Sequence, residues 1–234
     1  MEKTVAGRQG TEVIVNEFVR SVYNWMAIGL ALTGFVAYYI SGKPDLVRLI
    51  FGNAVLMIVF ILAYFGLVMY LSARIDKISA GTATSLFLLY SGLTGVLLSS
   101  VFLVYTTESI ASTFFICAGT FVGCSIYGWT TKRDLTSWSG FLMMGLIGVI
   151  IAIVVNMFIQ SSAMNMIIGC IGVIVFVGLT AYDTQKLKNM ALTQPAGLDG
   201  GVKRKGAILG ALSLYLDFIN LFLMLLRIFG TGRD

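Results

Sequence analysis

The sequence predicts an all-α membrane protein with seven transmembrane helices. Three observations carry that prediction. The 234 residues are 58% hydrophobic and 12% charged, with a mean hydropathy of +0.91, whereas a soluble domain carries roughly 25% charged residues. Seven apolar stretches each come close to the ~20 residues that a spanning helix needs. The breaks between those stretches hold the charges and turn formers.

In chain order, residues 1–20 form a polar N-terminal tail in which Lys3, Arg8 and Arg20 face Glu2, Glu12 and Glu17. The spans follow near 21–41, 49–71, 80–104, 110–129, 139–159, 166–185 and 206–229, so residues 21–230 form one membrane domain and 231–234 a short carboxyl end. SGKPD at 41–45, SARIDK at 72–77, TTES at 106–109, TKRD at 131–134 and QSS at 160–162 separate the first six spans. The longest break, 186–205, holds Pro195, three glycines and the basic run Lys203-Arg204-Lys205, a composition that favours a mobile loop. No cleavable signal peptide is expected, because the apolar run after the tail is too long for one.

Twelve of the sixteen Lys and Arg fall in the tail and the second, fourth and sixth loops. The positive-inside rule therefore places the amino terminus in the cytoplasm and, with seven spans, the carboxyl terminus outside. A six-span arrangement with one re-entrant segment would return the carboxyl end to the cytoplasm. The net charge of +5 fits loops lying against anionic lipid rather than nucleic acid. Gly119-x-x-x-Gly123 and Gly206-x-x-x-Gly210 predict close helix contacts, and Ser85, Gly92 and Ser99 repeat every seven residues on the third span.

Histidine is absent, which removes the commonest general base and metal ligand. It also excludes a seven-span zinc hydrolase, and a retinal protein would need a lysine inside a late span. Cys117, Cys124 and Cys170 lie in apolar segments without CxxC spacing and read as packing residues.

The functional signal lies in the last span. Gly210, Ser213, Asp217, Asn220, Met224 and Arg227 share one helical face, and the opposite face is Leu, Ile and Phe. An ionised carboxylate at mid-bilayer costs roughly 2.5–3.5 kcal/mol on insertion scales, so Asp217 must face protein or water. Asp183 ends the sixth span in TAYDTQKLK, with Thr180 one turn earlier. The two spans run antiparallel, and the aspartates meet if the sixth helix continues past Lys188 or the seventh starts below the membrane surface. Two carboxylates in one site do not both ionise cheaply, so they share a proton and part when it leaves. A hard cation such as calcium favours the ionised pair and competes with protons. Asp183 and Asp217 are thus the candidate pH sensor, gate and calcium ligands, with Ser213, Asn220 and Thr180 as polar lining. Arg74, at the end of the second span, is a candidate latch. An intramembrane aspartyl protease would also use two membrane aspartates, but LYLD stands where those enzymes carry GxGD.

VIVFVGLTAYDTQKLK at 173–188 and LSLYLDFINLFLMLLRIFG at 212–230 resemble the last two helices of the Bax inhibitor family, the transmembrane Bax-inhibitor-motif proteins, and most of all its bacterial inner-membrane members. YSGLTGVLLSS at 90–100 and YGWTTKRDL at 127–135 resemble its third- and fourth-span motifs. The resemblance implies two three-helix layers around a central C-terminal helix, and a pH-controlled calcium leak without enzymatic chemistry or a cofactor, calcium being the permeating ion. It places the family's paired aspartates on Asp183 and Asp217 and its second-helix basic residue near Arg74. No acid matches inside the second span, where Asn53 is the nearest polar group. The resemblance also implies an alternative role: regulation of a membrane quality-control protease or other membrane proteins through the amino tail and the 186–205 loop.

Overall fold

The computed structural model describes residues 2–193, 195 and 197–233, with side chains from residue 16 onward. Among these residues the regular structure is helical: α1 (Glu2–Ser41), α2 (Pro44–Phe51), α3 (Ala54–Arg74), α4 (Ala80–Leu98), α5 (Val101–Val104), α6 (Thr107–Thr130), α7 (Ser139–Ile159), α8 (Ser162–Leu192) and α9 (Gly200–Phe229), with a 3-10 turn at Leu135–Trp138. Seven segments are long and apolar enough to cross a membrane: Asn16–Ser41, Ala54–Arg74, Ala80–Val104, Thr107–Thr130, Leu135–Ile159, Ser162–Leu192 and Gly200–Phe229. The predicted seven-span all-α class is therefore the one found.

Short polar residues start the helices by taking up unpaired amides. Asn53 accepts from Val55 N and Leu56 N, Ser79 from Thr82 N and Thr106 from Ser109 N. Pro44 opens α2, where its missing N–H costs nothing. α7 stops at Gln160, which adopts a left-handed conformation (φ 54°).

Three boundaries differ from expectation. The backbone is helical from Glu2, so the polar residues expected as a tail continue the helix of the first span. The second span starts at Ala54 rather than near 49, because Gly52 and the Asn53 cap separate it from α2, a short helix with no buried residue. The sixth helix runs through Leu192, which shortens the 186–205 break to 193–199. Packing explains that extension. Gln185 accepts from Leu135 N and donates to Arg133 O, each at 2.8 Å, and Lys188 Nζ donates to Trp129 O at 2.6 Å.

The chain divides into two compact units. The first comprises residues 1–104 and 191–212. Its core joins α1 to α4. Phe18, Val22, Met26, Thr33 and Ala37 form the buried face of α1, at the 3–4 spacing of a helix stripe. Thr33 Oγ1 donates to Ser91 O at 2.8 Å across the contact. Gly95 permits it: a Cβ there would stand 2.6 Å from Thr33 O. Of the seven-residue repeat on the third span, Ser99 is fully buried, whereas Gly92 has open space around its would-be Cβ and Ser85 is exposed.

The second unit comprises residues 105–190 and 213–234. Phe114 and Phe121 set ring edges against Phe218 with centroids 5.5 and 5.4 Å apart. Gly128 lies directly on the Ala181 backbone, leaving no room for a side chain. Gly119 and Gly123 face open space instead. Spacing alone named a glycine pair but not the face that packs. Beyond α9, Thr231 O accepts from Thr106 N at 3.1 Å, Thr231 N donates to Ser109 Oγ at 2.9 Å, and Gly232 pairs antiparallel with Tyr105.

Candidate functional site

A cavity of about 330 Å³ lies within the second unit. Three helices build it. α7 contributes Ser139, Met143 and Leu146; α8 contributes Leu179, Tyr182, Asp183 and Lys186; α9 contributes Ser213, Leu216, Asp217 and Asn220. Each set repeats at helical spacing, so each helix turns one stripe toward the space. The apolar side chains form the walls, and the polar groups among them are two carboxylates, an amide, two serine hydroxyls, the Tyr182 phenol and the Lys186 ammonium.

The structure brings Asp183 and Asp217 into the same cavity. Asp217 is 5% exposed, and Asp183 is half-buried. The charge that Asp217 faces is the Asp183 carboxylate. Asp183 takes a hydrogen bond from the Ser213 hydroxyl and faces Lys186, one turn further along α8. Lys186 itself is exposed. Among the described residues, Asp217 Oδ2 has no hydrogen-bond partner. A buried carboxylate oxygen in that condition calls for a proton, a water or a cation. Asn220 Nδ2 donates to Leu216 O at 2.8 Å, so its Oδ1 is the atom left to accept or to ligate.

α8 continues past Lys188, one of the two conditions for the aspartates to meet. Asp183 does not cap the sixth helix; it sits inside a helix that continues to Leu192. α9 also starts at Gly200, before the apolar run begins. Both helices therefore extend beyond their apolar stretches, and the two acids line one space.

The other residues named from the sequence are placed as follows. Ser213 and Asn220 line the cavity. Thr180 is fully buried and spends its hydroxyl on Phe176 O at 2.7 Å, one turn back in its own helix. Arg74 is exposed at the last turn of α3, in the first unit. Met224 packs where Gly172 leaves room, and Arg227 hydrogen-bonds to Asn165 Oδ1. The sequence reading missed Ser139 and Asn165. Both are polar residues near the starts of apolar spans, which is a weak signal; neither has a spacing that ties it to its partner. Among the described residues no cluster of three or more His, Cys, Asp or Glu could hold a metal. A cation here would rest on two carboxylates plus neutral oxygens.

Comparison with known proteins agrees with the motifs. A family model described as inhibitor of apoptosis-promoting Bax1 matches residues 15–234. Inner membrane protein YbhL of Escherichia coli (strain K12) is 56% identical over 216 residues, covering 92% of each chain. A protein of Borreliella burgdorferi is 48% identical over 223 residues, covering 95% of each. One of Rickettsia prowazekii is 44% identical over 220 residues, covering 94% of this chain and 92% of its own. With matches of this length and identity, the chain belongs to the Bax inhibitor family.

Proposed function

We propose that this protein is a multi-pass inner-membrane protein that leaks calcium under pH control, with Asp183 and Asp217 as the gate. The observation that carries the reading is one cavity lined by two carboxylates, one of them 5% exposed with an oxygen that has no hydrogen-bond partner among the described residues. The inner-membrane placement rests on the seven apolar segments together with the printed name of the Escherichia coli relative.

In the closed state the pair holds one proton between its carboxyl groups, which relieves like-charge repulsion in a space of low polarity. Losing that proton leaves two negative charges facing each other, and α8 and α9 part around them. Calcium seeks six to eight oxygens and accepts carboxylate and amide donors. The two aspartates, Asn220 Oδ1 and the Ser213 and Ser139 hydroxyls supply part of that set, and water supplies the rest. Calcium and protons therefore act in opposition. Raising the pH opens the path, and lowering it closes the path. The paired acids work by binding and charge, with no bond made or broken, so the reading assigns no enzymatic step.

The test is calcium flux into proteoliposomes measured against pH for the parent, Asp183→Asn and Asp217→Asn. Either substitution is expected to flatten the pH dependence. Flux and pH response unchanged from the parent in Asp217→Asn would refute the reading.

A further inference from the structure

The first unit holds a second cavity, of about 280 Å³, between the start of α1's apolar stretch and the start of α9. On α1 it is lined by Glu17, Phe18, Ser21 and Trp25; on α9 its charged lining is Lys203 and Arg204. These residues straddle the point where each helix passes from polar to apolar sequence, near Ser21 on one and Gly206 on the other. That is headgroup depth for a spanning helix, the level at which tryptophan and basic residues gather.

The charges are organised. Arg204 lies over the Trp25 ring at 5.3 Å, and its Nε donates to Thr84 Oγ1 at 3.1 Å. The guanidinium is thus held in place with its terminal nitrogens left to donate. Lys203 is half-buried in the same wall, and among the described residues no hydrogen bond or ion pair engages its ammonium. Glu17 stands on the facing helix and is exposed. Two cations, one hydroxyl, one carboxylate and an aromatic floor match the groups of a phospholipid headgroup. A phosphate takes charge-assisted bonds from guanidinium and ammonium, and a carboxylate pairs with an amine. We propose that this cavity binds a phospholipid headgroup, with the phosphate on Lys203 and Arg204 and, in an ethanolamine lipid, the ammonium on Glu17. The acyl chains then follow the apolar surface beyond Trp25.

The same phosphate chemistry is offered by free phosphate, and the test separates the two. The full-length protein in detergent is titrated with short-chain phosphatidylethanolamine, short-chain phosphatidylglycerol and inorganic phosphate, and bound species are read by native mass spectrometry. Both lipids are expected to saturate one site, which inorganic phosphate alone does not fill. Lys203→Gln with Arg204→Gln is expected to weaken lipid binding at least tenfold. Lys203→Gln alone, which keeps the contact of Arg204 with Trp25 and Thr84, is expected to weaken it severalfold and serves if the double variant does not fold. Lys132→Gln with Arg133→Gln, at an exposed basic pair elsewhere, should leave binding unchanged. Glu17→Gln should weaken the ethanolamine lipid and spare the glycerol lipid. Three results would each overturn the proposal: no loss in the Lys203 and Arg204 variants, equal loss in the Lys132 and Arg133 variant, or saturation by inorganic phosphate without lipid. Unchanged binding of the ethanolamine lipid in Glu17→Gln would overturn the role given to that carboxylate.

Discussion

At the scale of the residue, Asp217 is the position where the chain accepts a cost. A buried carboxylate loses its hydration when ionised, a cost that a neutral amide of nearly the same shape does not carry. Asp217→Asn is therefore expected to melt at or above the parent's temperature in a thermal scan while losing the pH response of flux. A large fall in melting temperature would mark the side chain as structural. Much of this was legible beforehand: an acid amid twenty apolar residues has few physical explanations, and helical spacing put Ser213 and Asn220 beside it. Thr180 shows the limit of that reasoning. It shares spacing with Asp183, yet its hydroxyl bonds to Phe176 O within its own helix, an outlet that any threonine in a helix has. Ser139 was illegible because no spacing rule links residues on different helices.

At the scale of the element, close contacts depend on which glycine faces a neighbour. Gly128 lies on the Ala181 backbone, whereas Gly119 has open space. Gly128→Val should destabilise the protein by about 1–3 kcal/mol through overpacking, and Gly119→Ala should leave it within about 0.5 kcal/mol of the parent, both measured by chemical denaturation in detergent. The motif Gly-x-x-x-Gly was visible in the sequence, but the packed surface was not, because a membrane helix is apolar on every side and gives no contrast between core and lipid. Asp134, which caps the 3-10 turn at Leu135–Trp138, is an acid-sensitive group just before the fifth span. Asp134 accepts from Thr136 N and from the Thr136 hydroxyl, which holds its carboxyl below the usual carboxylate value. Its stabilising effect is present above that usual value and is lost as pH falls through the lowered one. Asp134→Asn should remove this part of the acid dependence of melting, read as a smaller drop between neutral and acidic buffer.

At the scale of the whole molecule, hydropathy decided the fold class and the count of spans, because a bilayer demands helices of one length. The ends of those helices were harder to read. Lys186 and Lys188 look like a loop by charge, but Lys188 reaches Trp129 O and α8 runs on to Leu192. Lys186, by contrast, extends past the apolar boundary with its charged side chain exposed. The placement of basic residues also makes a topological prediction. A reporter enzyme that folds only outside the cytoplasm, fused after residue 234, should be active, and the same reporter fused before residue 1 should be silent. The reverse pattern at the carboxyl end would favour six crossings.

The short stretch after α9 bears on how such a gate can move. Thr231 and Gly232 are stitched to Tyr105, Thr106 and Ser109 by backbone and hydroxyl bonds, so the far end of the last helix is tethered like the pin of a lever. A piston-like slide along its axis would have to tear those stitches. A pivot about them would keep them whole, and the same few degrees of swing would carry Asp217 further sideways than Asn220, which lies nearer the fulcrum.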